Sequence, residues 1–79
     1  MTVKVGQVYR TPIEKYIVVV VQYKQFLEGT NYPIDDVVVI YRDGETVFFK
    51  PTVIEEWELL AEYDSWIEAV NSPEFKGEK

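Results

Sequence analysis

Residues 37–50 read VVVIYRDGETVFFK. Two β-rich runs flank Asp43-Gly44, the pattern of a hairpin closed by a type I′ turn. A two-residue loop would pair Arg42 with Glu45, Ile40 with Val47 and Val38 with Phe49 on one face, and Tyr41 with Thr46 and Val39 with Phe48 on the other. A type I turn followed by a bulge would shift each pair by one. In both cases the stretch commits the chain to an antiparallel sheet.

Upstream lies a second strand, residues 15–23, KYIVVVVQY. Its IVVVV core is β-branched, which stiffens χ1 and suits a pleated surface. Tyr16, Val18 and Val20 fall on one face, and Ile17, Val19, Val21 and Tyr23 on the other. Both faces are apolar, so both should be covered and the strand central. Between the two strands, residues 24–36 (KQFLEGTNYPIDD) read as the longest irregular segment. Phe26, Leu27, Tyr32 and Ile34 imply that it packs on the body, and loops of this kind often carry ligand sites. Residues 2–10 alternate Val3, Val5 and Val8 against Thr2, Lys4 and Gln7, with a bend or bulge at Gly6. Thr11-Pro12 then turns the chain.

Downstream of Pro51, Thr52-Val53-Ile54-Glu55 matches a capping box and predicts a helical start. At 100° per residue Val53, Ile54, Trp57, Leu60 and Ala61 form one stripe, with Glu55, Glu58 and Glu62 opposite. The phase breaks near Tyr63-Asp64, after which Trp66, Ile67 and Val70 fall on a different stripe. Ser65 to Glu68 is a second capping-box match, and Asn71-Ser72-Pro73 reads as a stop. The alternative is a short helical turn followed by a strand over residues 57–61 that closes a small barrel.

The fold class expected is α+β, mainly β: an antiparallel sheet of four or five strands, flat or curled into a barrel, with one or two short C-terminal helical segments. At 79 residues such a chain buries roughly 60% of its unfolded surface. With 47% hydrophobic and 15% aromatic residues it has more core-forming material than a disordered acidic segment. One domain over residues 1–75 is expected, with fraying from Glu74 and a tail at 76–79.

Cysteine and histidine are both absent. Disulfides, thiolate metal sites and Ser-His or Cys-His catalytic pairs are therefore excluded. Ser65 and Ser72 have no base within any motif, and no phosphate-binding glycine pattern occurs. A protein that is not an enzyme and needs no cofactor is expected. The apolar run at residues 16–21 is too short to span a bilayer, and a cytoplasmic location is expected.

Charge is unevenly spread. Residues 1–50 carry six acids and six bases, whereas residues 51–75 carry seven acids and no base, within a net −6. Three readings follow. The acids form a wet face that keeps a small domain soluble. Or they meet an electropositive protein, through Glu55, Glu58, Glu62, Asp64 and Glu68 with Trp66 as apolar anchor. Or Glu55, Glu58 and Glu62, or Asp35 with Asp36, ligate a hard cation. Direct nucleic-acid binding needs a basic footprint that the scattered bases do not supply. A small-ligand pocket under residues 24–36, and a homodimer through an edge strand or the tryptophans, are the remaining alternatives.

VKVGQVYR at residues 3–10, then KYIVVVV, VVVIYRDGETVFF, a short helical turn and WELL, resemble the small SH3-like barrel proteins often encoded by bacteriophages and prophages. Their first strand commonly reads valine-glycine-glutamine followed by an aromatic. The resemblance covers residues 3–60 and carries over no functional residue. It implies a non-enzymatic accessory protein in the host cytoplasm that binds or inhibits a basic host protein, such as a nucleic-acid-binding factor.

Overall fold

The computed structural model describes residues 3–77. The expectations for Thr2 at the first strand and for positions 78 and 79 of the tail lie outside these residues. Five strands form: β1 (Gln7–Arg10), β2 (Ile17–Phe26), β3 (Pro33–Tyr41), β4 (Thr46–Phe49) and β5 (Glu58–Glu62). Between β4 and β5 comes helix α1 (Pro51–Ile54), and after β5 come α2 (Trp66–Val70) and α3 (Pro73–Lys76). The antiparallel sheet is open, with order β4-β3-β2-β1-β5. An α+β, mainly β architecture with a central β2 is thus observed.

The expected two-sided burial of β2 holds for its first half. On one face Val18 and Val20 join Val3, Tyr9, Val37, Val39 and Ile54 of α1. On the other, Ile17 and Val19 join Val8, Ala69 of α2 and Phe75 of α3. Helices thus cover both sides of the sheet's middle. Tyr23, expected with Val19, instead packs with Val18 and Val20. The register slips between Val20 and Gln22, so Val21 is a bulge residue that flips the rest of the strand.

The hairpin forms with the shifted register. Val39 faces Val47, Val38 faces Phe48 and Val37 faces Phe49. Tyr41 N–H donates to Glu45 O at 2.8 Å and Gly44 N–H to Tyr41 O at 2.9 Å, so the loop holds three residues, not two. Gly44 at φ +92 supplies the left-handed residue that a type I turn needs before its bulge.

Three other expectations fail. Residues 57–61 do not continue a helix: α1 stops at Ile54 and the alternative strand forms as β5, paired with β1 at the edge of an open sheet and not closing a barrel. The capping box at Thr52 is absent, because Pro51 takes the first helical position and Lys50 becomes the N-cap, with no side-chain cap bond. Residues 24–36 are not a long packed loop. β2 runs on to Phe26 and β3 starts at Pro33, leaving only six residues between, and Phe26, Leu27 and Tyr32 are exposed.

The break after Tyr63 is observed, and Ser65 caps α2 by accepting from Glu68 N–H at 3.2 Å. The stop expected at Asn71-Ser72-Pro73 is observed, since α2 ends at Val70 with Asn71 as C-cap, and a further helix opens directly behind it. Ser72 Oγ accepts from Phe75 N–H at 3.3 Å, and Pro73 opens α3. α3 thus takes in Glu74 to Lys76, with Phe75 buried beside Ile17 and Val19 of β2. Arg42, in the β3–β4 turn, donates to the carbonyls of Glu74 and Phe75 and ties this end down.

Candidate functional site

The six acid-and-tryptophan positions do not form one helix face. Glu58 pairs with Arg10 and Glu62 with Gln7 across the β1–β5 ladder. Gln7 and Arg10 are three residues apart on β1, so they point to opposite faces, and so do the two glutamates. Leu60 is the extra bulge residue that makes this possible in a segment where four-residue spacing would otherwise give one face.

Each glutamate has an internal partner. Glu58 Oε1 lies 3.0 Å from Arg10 Nη1, an exposed ion pair worth about 0–1 kcal/mol. A base from the N-terminal half thus relieves one acid of the C-terminal third. Glu62 Oε1 accepts from Gln7 Nε2 at 2.8 Å. Gln7, only 1% exposed, holds a polar knot: its Oε1 also accepts from Lys4 N–H at 2.8 Å and from the Tyr9 hydroxyl at 2.7 Å. Burial, then the charges of Glu62 and Glu55, push the Tyr9 phenol above its ordinary pKa. Both carboxylates therefore act on one phenol.

The remaining positions are freer. Glu55 is the exposed C-cap of α1. Asp64 precedes the Ser65 cap and shares with Lys4, Gln7 and Glu62 a polar cleft of about 360 Å³. Glu68 sits in the first turn of α2, where its charge complements the helix end. Trp66 and Ile67 remain 41% and 56% exposed, because α2 turns Ala69 and Val70 toward the sheet. Among the described residues the ion pairs are Arg10–Glu58 and Lys50–Asp36, so Glu55, Asp64 and Glu68 form none, although Lys4 lines the same cleft as Asp64.

The cation-site reading finds no support in these positions. No group of three acidic side chains among the described residues is arranged to hold a metal ion, and Asp36 is engaged by Lys50 at 2.7 Å. Beside the β2–β3 hairpin a cleft of about 570 Å³ runs along Gln22, Lys24, Phe26, Leu27 and Ile34. No helix of the described residues is long and apolar enough to cross a membrane.

Sequence reasoning missed an aromatic cleft of about 310 Å³ walled by Tyr16, Tyr41, Phe49 and Trp57, with Pro12 and Ile13 at its rim. Trp57 packs edge-on to Phe49 at 4.9 Å and to Tyr9 at 6.4 Å between centroids, and Tyr16 and Tyr41 lie 5.6 Å apart. Four separate segments supply the walls, so no local motif announces it. No protein family, no curated protein and no solved structure matches the chain.

Proposed function

We propose that this protein is a binding module that engages an electropositive protein where β5 gives way to α2. The observation that carries the reading is Trp66 with Ile67, exposed on α2 beside Asp64 and Glu68, neither of which forms an ion pair among the described residues. An aromatic anchor inside a charged rim is how many interfaces combine affinity with steering. Glu55 at the end of α1 and Glu62 at the end of β5 add acidic charge, whereas Glu58 contributes less because Arg10 already neutralises it. The resemblance to phage-type barrel proteins supports an accessory role, binding or inhibiting a basic nucleic-acid-binding protein in the host cytoplasm.

The test is capture of basic proteins from host lysate by the tagged chain over a salt series. Asp64→Lys with Glu68→Lys should weaken capture at least tenfold and flatten its salt dependence, and Trp66→Ala should speed release by a similar factor. Glu58→Gln should change little. Added duplex DNA should compete if the partner binds nucleic acid. Capture unaltered by both the charge and the tryptophan variants, with unchanged melting temperatures, refutes the proposal.

A further inference from the structure

Four aromatic side chains meet at the cleft of about 310 Å³ beside the loop between β1 and β2, and the charged side chain that lines it is Glu14. Tyr16 stands just before β2, Tyr41 and Phe49 lie at the ends of β3 and β4, and Trp57 precedes β5. The rings brace one another in two pairs, Tyr16 with Tyr41 at 5.6 Å and Phe49 with Trp57 at 4.9 Å between centroids. The loop is braced as well. Thr11 N–H donates to Tyr16 O and Tyr16 N–H donates to Thr11 Oγ1, both at 2.9 Å, which closes the base of the loop that carries Glu14. The walls thus stand in place without a ligand.

Aromatic walls with one carboxylate select for charge as well as shape. A neutral apolar ligand would desolvate Glu14 and give it no partner, and an anion would be repelled. A metal ion would need several oxygen ligands. A primary ammonium brings N–H groups that aromatic walls cannot satisfy. A quaternary ammonium has none: its methyl groups suit apolar walls, while its charge is drawn to the ring faces and to a carboxylate. We propose that this cleft binds the trimethylammonium group of a small organic cation of the choline type, with the four rings around the methyl groups and the Glu14 carboxylate beside the charge. The field at the site has the matching sign. Burial, then the charges of Glu45, Glu14 and Asp43, push the Tyr41 phenol above its ordinary pKa, and the bond to Glu14, then that residue's charge, raise Tyr16. Lys15 and Arg42 line the neighbouring cleft that shares the two tyrosines, and Arg42 is drawn toward α3 by the carbonyls of Glu74 and Phe75. The volume lies at the small end of ligand pockets, which span about 300–1,000 Å³, and this favours a free small cation over a segment of peptide. This inference does not rest on the electropositive-partner reading.

The test is titration of the full chain with choline chloride, followed by its amide and indole NMR signals at about 150 mM salt, where distant charges are screened. Signals of residues 11–16 and of the Trp57 indole should shift saturably, with a Kd on the order of 1 mM. The uncharged isostere 3,3-dimethylbutan-1-ol should bind about tenfold more weakly, because it has the shape without the charge. Glu14→Gln should raise the choline Kd about threefold or more, and Tyr16→Leu about fivefold or more, at unchanged melting temperature. Asp64→Lys with Glu68→Lys should leave it unaltered. An isostere that binds as tightly as choline overturns the proposal. So does the absence of a saturable shift at these signals up to about 50 mM choline, and so does binding that neither Glu14→Gln nor Tyr16→Leu weakens. A peptide carrying trimethyl-lysine that binds about tenfold tighter than choline also overturns it, since a protein side chain would then be the occupant.

Discussion

Residues 17–20 of β2 are buried on both faces, whereas most of the strand beyond them is half-buried or exposed, although β3 pairs along both parts. The difference lies above and below the sheet. Over residues 17–20, α1 covers one face through Ile54, and α2 and α3 cover the other through Ala69 and Phe75. β1 flanks only this part, since its pairing with β2 ends at Val8 opposite Val19. β4 ends at Phe49 opposite Val37, so the outer part of the β2–β3 hairpin is a two-stranded arm. A lone hairpin is marginal in water. This one persists as the extension of an anchored sheet. Hydrogen-bonded pairing alone does not bury an apolar side chain; a second layer does.

The largest effect should come from closing off the anchored part. Gly6 joins β1 to two elements at once: its N–H donates to Val20 O at 2.9 Å, and its carbonyl accepts from Tyr63 N–H at 3.0 Å. Its φ is +95, and an added Cβ would lie 2.3 Å from the Tyr63 carbonyl oxygen. That obstacle is backbone, so no rotamer change relieves it. Gly6→Ala should cost about 3 kcal/mol or more, lowering the melting temperature by roughly 15 °C in a domain of this size. A loss under about 1 kcal/mol would show that the β1–Tyr63 junction yields easily and that the contrast with the arm is overstated.

A smaller effect should appear in alkaline solution. Burial is the main cause of the raised Tyr9 pKa, followed by the charges of Glu62 and Glu55. The fold therefore prefers the neutral phenol. The resulting stabilisation is complete below the unfolded-state value of about 10 and is lost as pH rises through the higher folded-state value. Melting temperature should hold near neutrality and fall above that point. Tyr16, Tyr23, Tyr41 and Tyr63 are shifted the same way, so Tyr9→Phe should remove only part of the alkaline loss. At neutral pH it should cost about 1 kcal/mol through the lost bond to Gln7. Identical alkaline curves for the two chains would mean that the buried Tyr9 does not resist ionisation.

What the sequence made legible follows the same division. The β3–β4 hairpin and the two-sided core of β2 were readable because Asp43-Gly44 is a local signal and IVVVV is apolar on both faces. β5 was legible only as the alternative to a continued helix, because the bulge at Leu60 breaks the period-2 alternation that marks a strand. A tertiary partner, β1, decides its conformation. Pro51 and Pro73 both open short helices, and position 1 of a helix is where proline fits. At Pro51 that rule overrides the capping-box pattern of Thr52, and at Pro73 it opens a helix directly behind the expected stop of α2. Among the candidate site residues, the acids were visible by composition. The face they share was not, since Arg10, Gln7 and the bulge redistribute them.

The arm is where the smallest effect is expected, and it tests the contrast from the other side. Phe26 and Tyr32 are 53% and 68% exposed, yet they flank the tip closed by the Leu27 N–H to Tyr32 O bond at 2.8 Å. If that bond and the β2–β3 ladder hold the arm, their side chains contribute little. Phe26→Ser and Tyr32→Ser should then each change stability by no more than about 0.5 kcal/mol, read as the shift of a urea midpoint at constant m-value. Amide exchange should agree, with arm amides opening at lower free energy than those of residues 17–20. A loss above about 1 kcal/mol from either substitution, or equal protection in both halves of β2, would mean that the arm is packed against something.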